Sequence, residues 1–159
     1  MNAPVNNFLE TCLFFNTNTF SRELVKLADG EFKALNLSAA HASLMLLVYE
    51  TPGIHPKELS RLLQLNPSTI TRFIDALVKR NLLRREVRGK TARIHPTKAG
   101  LSLKADVAKA YKQLIMAYSK ILGFEEAAHL SQAIASANSR IKKALSDASS
   151  EKSSPDKEF

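Results

Sequence analysis

Between Thr51 and Asn81, two short segments with apolar stripes each open on a proline, Pro56 and Pro67, and only Gln64-Leu65-Asn66 lies between the first stripe and the second proline. A proline fits the first turn of a helix and breaks the interior of one, so this stretch must fold as two separate helices around a tight turn. Thr51-Pro52-Gly53 stops whatever helix precedes the pair, and Asn81, tolerant of the left-handed conformation, ends it. The first of the two carries Leu59, Leu62 and Leu63 inward. The second runs from Pro67 to about Arg80, with Asn66 as its N-cap and Ile70, Phe73, Ile74, Leu77 and Val78 on its apolar side.

Helical periodicity extends on both sides of this pair. Apolar spacing from Phe8 to about Phe32 reads as one helix, with an irregularity expected near Asn16 to Thr19, and Ser38 caps another from Ala39 to Tyr49. After the pair, Leu83 to Val87 and Thr91 to His95 are β-compatible segments flanking Arg88-Gly89-Lys90, which predicts a tight hairpin. Thr97 then caps a helix of about 25 residues, roughly 37 Å long, reaching about Leu122 with Gly123 as its stop. Ala127, Leu130, Ile134, Ala137, Ile141 and Leu145 mark a last helix. The expected fold is mainly α, six helices with one small β-hairpin.

The 159 residues suit one domain, and 45% hydrophobic residues with five glycines argue against a disordered or fibrous chain. Cys12 is the single cysteine, so no intramolecular disulfide forms, and no Cys/His pair has zinc-ligand spacing; no metal or cofactor is expected. The first residues lack the pattern of a secretory signal, and no apolar run is long enough for a membrane span, so a cytoplasmic protein without membrane partners is expected. No glycine-rich phosphate loop, nucleophile with base, or carboxylate cluster points to an enzyme.

Charge is concentrated where the two short helices and the hairpin lie. Gly53 to Lys98 holds eleven Lys and Arg against three acids, which accounts for the whole net charge of +8. One sign gathered on a compact module is the footprint of a polyanion-binding surface. Two helices around a short turn, the second opening on small hydroxyl residues and followed by a basic hairpin, form a winged helix-turn-helix, whose second helix enters a DNA major groove. Ser68, Thr69, Thr71 and Arg72 then probe base edges, with Arg72 the leading base reader, while the free amides at the Pro67 end of the helix and the cation Lys57 suit phosphates. Arg84, Arg85, Arg88, Lys90 and Arg93 lie on or beside the hairpin, although strand alternation lets only some of them face DNA.

Over nearly its whole length the chain resembles the MarR family of transcriptional regulators. The resemblance is carried by Pro67-Ser-Thr-Ile-Thr-Arg-Phe-Ile-Asp-Ala-Leu-Val-Lys-Arg-Asn-Leu-Leu, the hairpin, and Thr97-Lys-Ala-Gly leading into a long helix. It implies a homodimer on a pseudo-palindromic operator in double-stranded DNA, probing it with two winged modules and acting as a repressor. In this reading residues 8–34 and 98–146 form a helical dimerisation region, 38–97 the winged module, and 147–159 a disordered tail. Two departures stand out. Arg88 and Lys90 occupy the wing positions where the family usually carries an Asp and an Arg, and Asn81 stands where it prefers Gly. Loss of that acid removes an orienting salt bridge and leaves the wing more basic.

Many relatives bind phenolic or aromatic acids between the dimer helices and the winged module. Phe15, Arg22, His41 and Met45 are candidates for such a pocket here, because a cation and aromatic rings suit a carboxylated ring. Cys12 resembles the first-helix cysteine of the OhrR peroxide sensors, whose motifs have partial echoes in Leu13-Phe14-Phe15 and Ser21-Arg22-Glu23, but an ungapped match puts the sensor position on Phe14. Redox sensing through Cys12 is thus one alternative reading, and an architectural DNA-binding protein with little sequence preference is another.

Overall fold

The computed structural model describes residues 8–89 and 91–151, with the side chains of residues 150 and 151 excepted. In chain order the elements are α1 (Leu13–Phe32), a 3-10 turn (Lys33–Leu35), α2 (Ala39–Glu50), α3 (Pro56–Leu63), α4 (Pro67–Lys79), β1 (Leu83–Arg88), β2 (Thr91–Pro96), α5 (Lys98–Ser102), α6 (Lys104–Leu122) and α7 (Phe124–Glu151). Residues 8–11 form a helical turn ahead of α1. The class is the expected one, mainly α with a two-stranded antiparallel hairpin, but the helices number more than six because two of the expected ones are interrupted.

The first interruption falls at Cys12, whose ψ of 109° is extended, and not at Asn16 to Thr19. There the polar side chains bond back along the helix instead of breaking it: Thr17 Oγ1 donates to Leu13 O at 2.7 Å and Asn18 Nδ2 to Phe14 O at 2.7 Å. Asn16 Nδ2 reaches past the break to Glu10 O at 2.8 Å, satisfying a carbonyl that the break strands. The second interruption is at Leu103, where the N–H turns to Gly100 O at 3.2 Å. The final helix also runs further than expected. It continues to Glu151, because Ser146 and Ser149 donate to Lys143 O and Leu145 O and so stay within the helical ladder. The rest of the expected disordered tail lies outside the described residues.

The chain forms two compact units, divided between Met116 and Ala117. In the first, the core is built on α2, whose Ala42, Leu44, Met45 and Val48 are fully buried, together with Phe32, Leu59, Ile70, Ile74, Leu77, Leu83, Ile94 and Val107. Tyr111 packs edge-on against Phe32 with ring centroids 4.8 Å apart, and its hydroxyl bonds Ser43 and Ala39 O. Burial raises the Tyr111 pKa, partly offset by the Ser43 hydrogen bond. The second unit comprises the end of α6 and the 28-residue α7, joined at Gly123, whose φ is +93°.

One junction fixes how α5 meets the winged region. Thr97 accepts from Gly100 N at 2.9 Å, as an N-cap, and donates to Asn81 O at 2.6 Å. Gly100 lies against Leu82, so closely that a Cβ there would stand 2.0 Å from Leu82 O. Tyr49 donates to Gly100 O at 2.7 Å from within the core, and burial pushes its pKa up to about 12.

Candidate nucleic-acid interface

The two helices of the central pair meet through a three-residue turn held by backbone conformation. Gln64 takes φ +56°, so its N–H and that of Leu65 both reach Ser60 O, and Ser60 Oγ donates to Leu65 O at 2.5 Å. Pro67 then opens α4 at its first position. Asn66 has the extended backbone of an N-cap, but its side chain makes no capping bond, contrary to expectation. Its carbonyl takes the N–H groups of Thr69 and Ile70, at 2.9 and 3.1 Å.

Helix α4 has two faces. Ile70, Ile74 and Leu77 are buried, while Ser68, Thr71, Arg72, Asp75 and Lys79 are exposed along one stripe at helical spacing. Thr69 is half-buried at its edge, and Pro67 is exposed at its start. Thr71 Oγ1 donates back to Pro67 O at 3.0 Å, which leaves it an acceptor toward anything approaching. Among the described residues, Ser68, Arg72 and Lys79 have no hydrogen-bond or ion-pair partner. Lys57 is likewise exposed and unpaired on α3, whereas Arg61 of the same helix is tied to Glu58.

The hairpin pairs Arg84 with His95, Glu86 with Arg93 and Arg88 with Thr91 on one face, and Leu83 with Pro96, Arg85 with Ile94 and Val87 with Ala92 on the other. Arg84, Arg88 and Arg93 therefore share a face, with Glu86 at its centre. Glu86 accepts from Arg88 Nε at 2.7 Å and from Arg84 Nη1 at 3.4 Å. These bonds, Arg88 foremost, hold its carboxyl below the usual carboxylate range. His95 Nε2 is buried 3.4 Å from the same carboxylate without hydrogen-bond geometry. Glu86 thus ties the two arginines Arg84 and Arg88 of this face to one carboxylate.

Arg93 instead donates to Gly53 O at 3.3 Å, and Arg85, on the opposite face, pairs with Asp75 of α4 at 2.7 Å. The base of the hairpin is anchored to the loop before α3. Ile54 and Ile94 form a β-bridge, Gly53 N donates to Ile94 O at 2.8 Å, and His55 Nδ1 lies 3.0 Å from Ala92 O. Gly53 needs to be glycine: its φ is +88° and the His95 ring lies 3.1 Å from where a Cβ would be. Lys90 lies outside the described residues. Lys79, Asp75, Glu86 and His55 were missed as parts of this surface, although Lys79 stands seven residues after Arg72, a helical spacing that places it on the same stripe.

The residues proposed for a small ligand lie in different surroundings. His41 lines an open groove of about 470 Å³ with Asp29, Lys33, Asn36, Leu37, Ser38 and Arg80. Its ring packs on Phe73 at 4.6 Å, and its pKa is lowered by burial and by Arg80. Met45 is fully buried in the core, while Phe15 and Arg22 are exposed on α1. Cys12 is half-buried at the N-cap of α1. Among the described residues no group of His, Cys, Asp and Glu could hold a metal ion, and no single helix is long and apolar enough to cross a membrane.

A short helix pair on a shared core, followed by a hairpin anchored back to it and flanked by longer helices, defines a winged helix-turn-helix fold. Residues 37–91 match the sequence model of the MarR family. No curated protein matches the chain. Among solved structures it is similar to a mutant MarR from E. coli in complex with operator DNA, at 19% identity and a TM-score of 0.73, covering 82% of this chain and 96% of that one. It is similar to S. aureus MepR in a DNA complex, at 16% identity and a TM-score of 0.69, covering 83% and 98%. PcaV from Streptomyces coelicolor, in complex with its natural ligand, is similar at 15% identity and a TM-score of 0.73, covering 82% and 94%. These likenesses show the fold.

Proposed function

We propose that the chain is a sequence-specific, double-stranded DNA-binding transcriptional regulator, working as a homodimeric repressor on a pseudo-palindromic operator. The observation that carries this reading is the exposed stripe of α4, where Arg72 and Lys79 have no partner among the described residues while the wing beside it holds its cations in place. Arg72 on the second turn of a groove-entering helix suits the two acceptors of a guanine edge, and Ser68, Thr69 and Thr71 suit shorter-range contacts. Arg84, Arg88, Lys90 and Arg93 of the wing, with Lys57 and the Pro67 end of α4, would take phosphates. The E. coli and S. aureus relatives in complex with DNA support this use of the fold.

Exposed apolar side chains support the dimer. Leu13, Phe14 and Val25 of α1 are 71%, 79% and 54% exposed, and Ile121, Phe124, Ile141 and Leu145 at the other end of the chain are each more than half exposed. Such surface calls for a partner, and a two-fold copy would supply it while setting two recognition helices about 34 Å apart. Residues 8–34 and the helices from 98 onward are assigned to that role, and 38–97 to DNA. A phenolic or aromatic acid is the proposed effector, and PcaV in complex with its natural ligand supports ligand binding by this fold.

Binding of the full chain to a duplex selected from a random pool, against unselected duplex at physiological salt, tests the reading. A specificity ratio of about 10³ or more, with two chains per duplex by light scattering, is expected. A ratio near unity selects the architectural alternative instead. Organic hydroperoxide that releases DNA from the wild type but not from Cys12→Ser would select the redox reading.

A further inference from the structure

Among the described residues, one ion pair joins the hairpin to α4. Strand alternation sends Arg85 away from Arg84 and Arg88, to the face on which Leu83 and Ile94 are buried, and its Nη2 lies 2.7 Å from Asp75 Oδ1. Asp75 lies on the exposed stripe of α4, between Arg72 and Lys79, where a carboxylate without a counter-charge would repel phosphate. We infer that Arg85 is a positioning residue rather than a phosphate contact: acting through Asp75, it cancels the acid's charge and sets the angle between β1 and α4.

This inference rests on the DNA-binding reading. Helix and wing can engage neighbouring parts of one duplex together only when their relative orientation matches it, so a link that holds the orientation raises the effective concentration of the second contact. With side chains 36% and 56% exposed, the pair adds little to folding, and its consequence falls on DNA affinity.

The test uses the full chain on a duplex selected from a random pool, with affinity measured across a range of salt for wild type, Asp75→Asn, Arg85→Gln and the double variant. Each single variant is expected to lose about fivefold, and the double no more than either single. The slope of log affinity against log salt stays at its wild-type value in all three. A slope reduced by about 0.9 in Arg85→Gln marks a lost phosphate contact and overturns the inference, as does an Asp75→Asn that binds as tightly as wild type or tighter. Without DNA, amide exchange at Arg84 to Val87 and Ala92 to Ile94 should quicken in both single variants, and wild-type exchange there overturns the strut itself. A wild-type chain that selects no duplex overturns the DNA-binding reading, and this outcome is distinct because the exchange arm still reports on the strut.

Discussion

Recognition helix and wing carry the same sign of charge in opposite states. On α4 the cations Arg72 and Lys79 stand without partners among the described residues, whereas all four described cations of the wing are held: Arg84 and Arg88 by Glu86, Arg85 by Asp75, Arg93 by Gly53 O. A free guanidinium on a rigid helix can adapt to a base edge, while a pre-oriented one meets a backbone of fixed shape with less ordering to lose. Under the proposed function, this contrast would give discrimination to Arg72 on the helix and placement to the wing.

The most disruptive way to break the comparison is to remove the platform under both parts. Gly100→Ala puts a methyl group 2.0 Å from Leu82 O, a backbone atom between α4 and β1 that cannot swing aside. We expect a loss of about 3 kcal/mol in chemical denaturation, with DNA binding falling in proportion to the folded fraction. Next in size, Arg72→Ala should cost about 1 to 3 kcal/mol on a cognate duplex and far less on unselected DNA. Lys79→Ala, on the same stripe, should weaken both alike and flatten the salt slope by about one phosphate, as measured by titration at several salt concentrations. Equal losses for Arg72→Ala on every sequence would erase the distinction between reader and anchor.

The smallest effects concern the depressed pKa values of Glu86 and His41. Glu86 is held ionised by Arg88, so its contribution to stability is present above the ordinary carboxylate range and lost as pH falls through its lowered pKa. His41 is kept neutral by burial and by Arg80, so its contribution is present above about 6.5 and is likewise lost toward acid. Melting temperatures measured from pH 7 downward should therefore fall less steeply below pH 6.5 in His41→Gln than in wild type, and less steeply in the carboxylate range in Glu86→Gln. A wild-type acid limb in both variants would contradict these assignments.

Much of this architecture was legible wherever a residue acts on its own neighbours. Pro56, Pro67 and Asn81 placed the ends of α3 and α4 to within about a residue, because fixed or left-handed φ is a local property. Hairpin alternation likewise foretold that the wing arginines would divide between two faces. What stayed hidden depends on distant partners. Gly100, three residues before the break at Leu103, lies against Leu82, eighteen residues earlier in the chain. Asp75 and Arg85 meet across a helix and a strand whose separate periods say nothing of their mutual register. The break at Cys12 was misplaced because Thr17 and Asn18 bond back into the helix that their composition would have weakened.

The central claim, that the exposed stripe of α4 reads bases while the wing positions the module, is tested most directly by parallel selections from one random duplex pool with the wild-type chain and with Arg72→Ala. The account predicts a two-fold symmetric motif for the wild type and, for the variant, the same motif with one base pair in each half-site made degenerate. An identical motif from both chains, or none from the wild type, would contradict it.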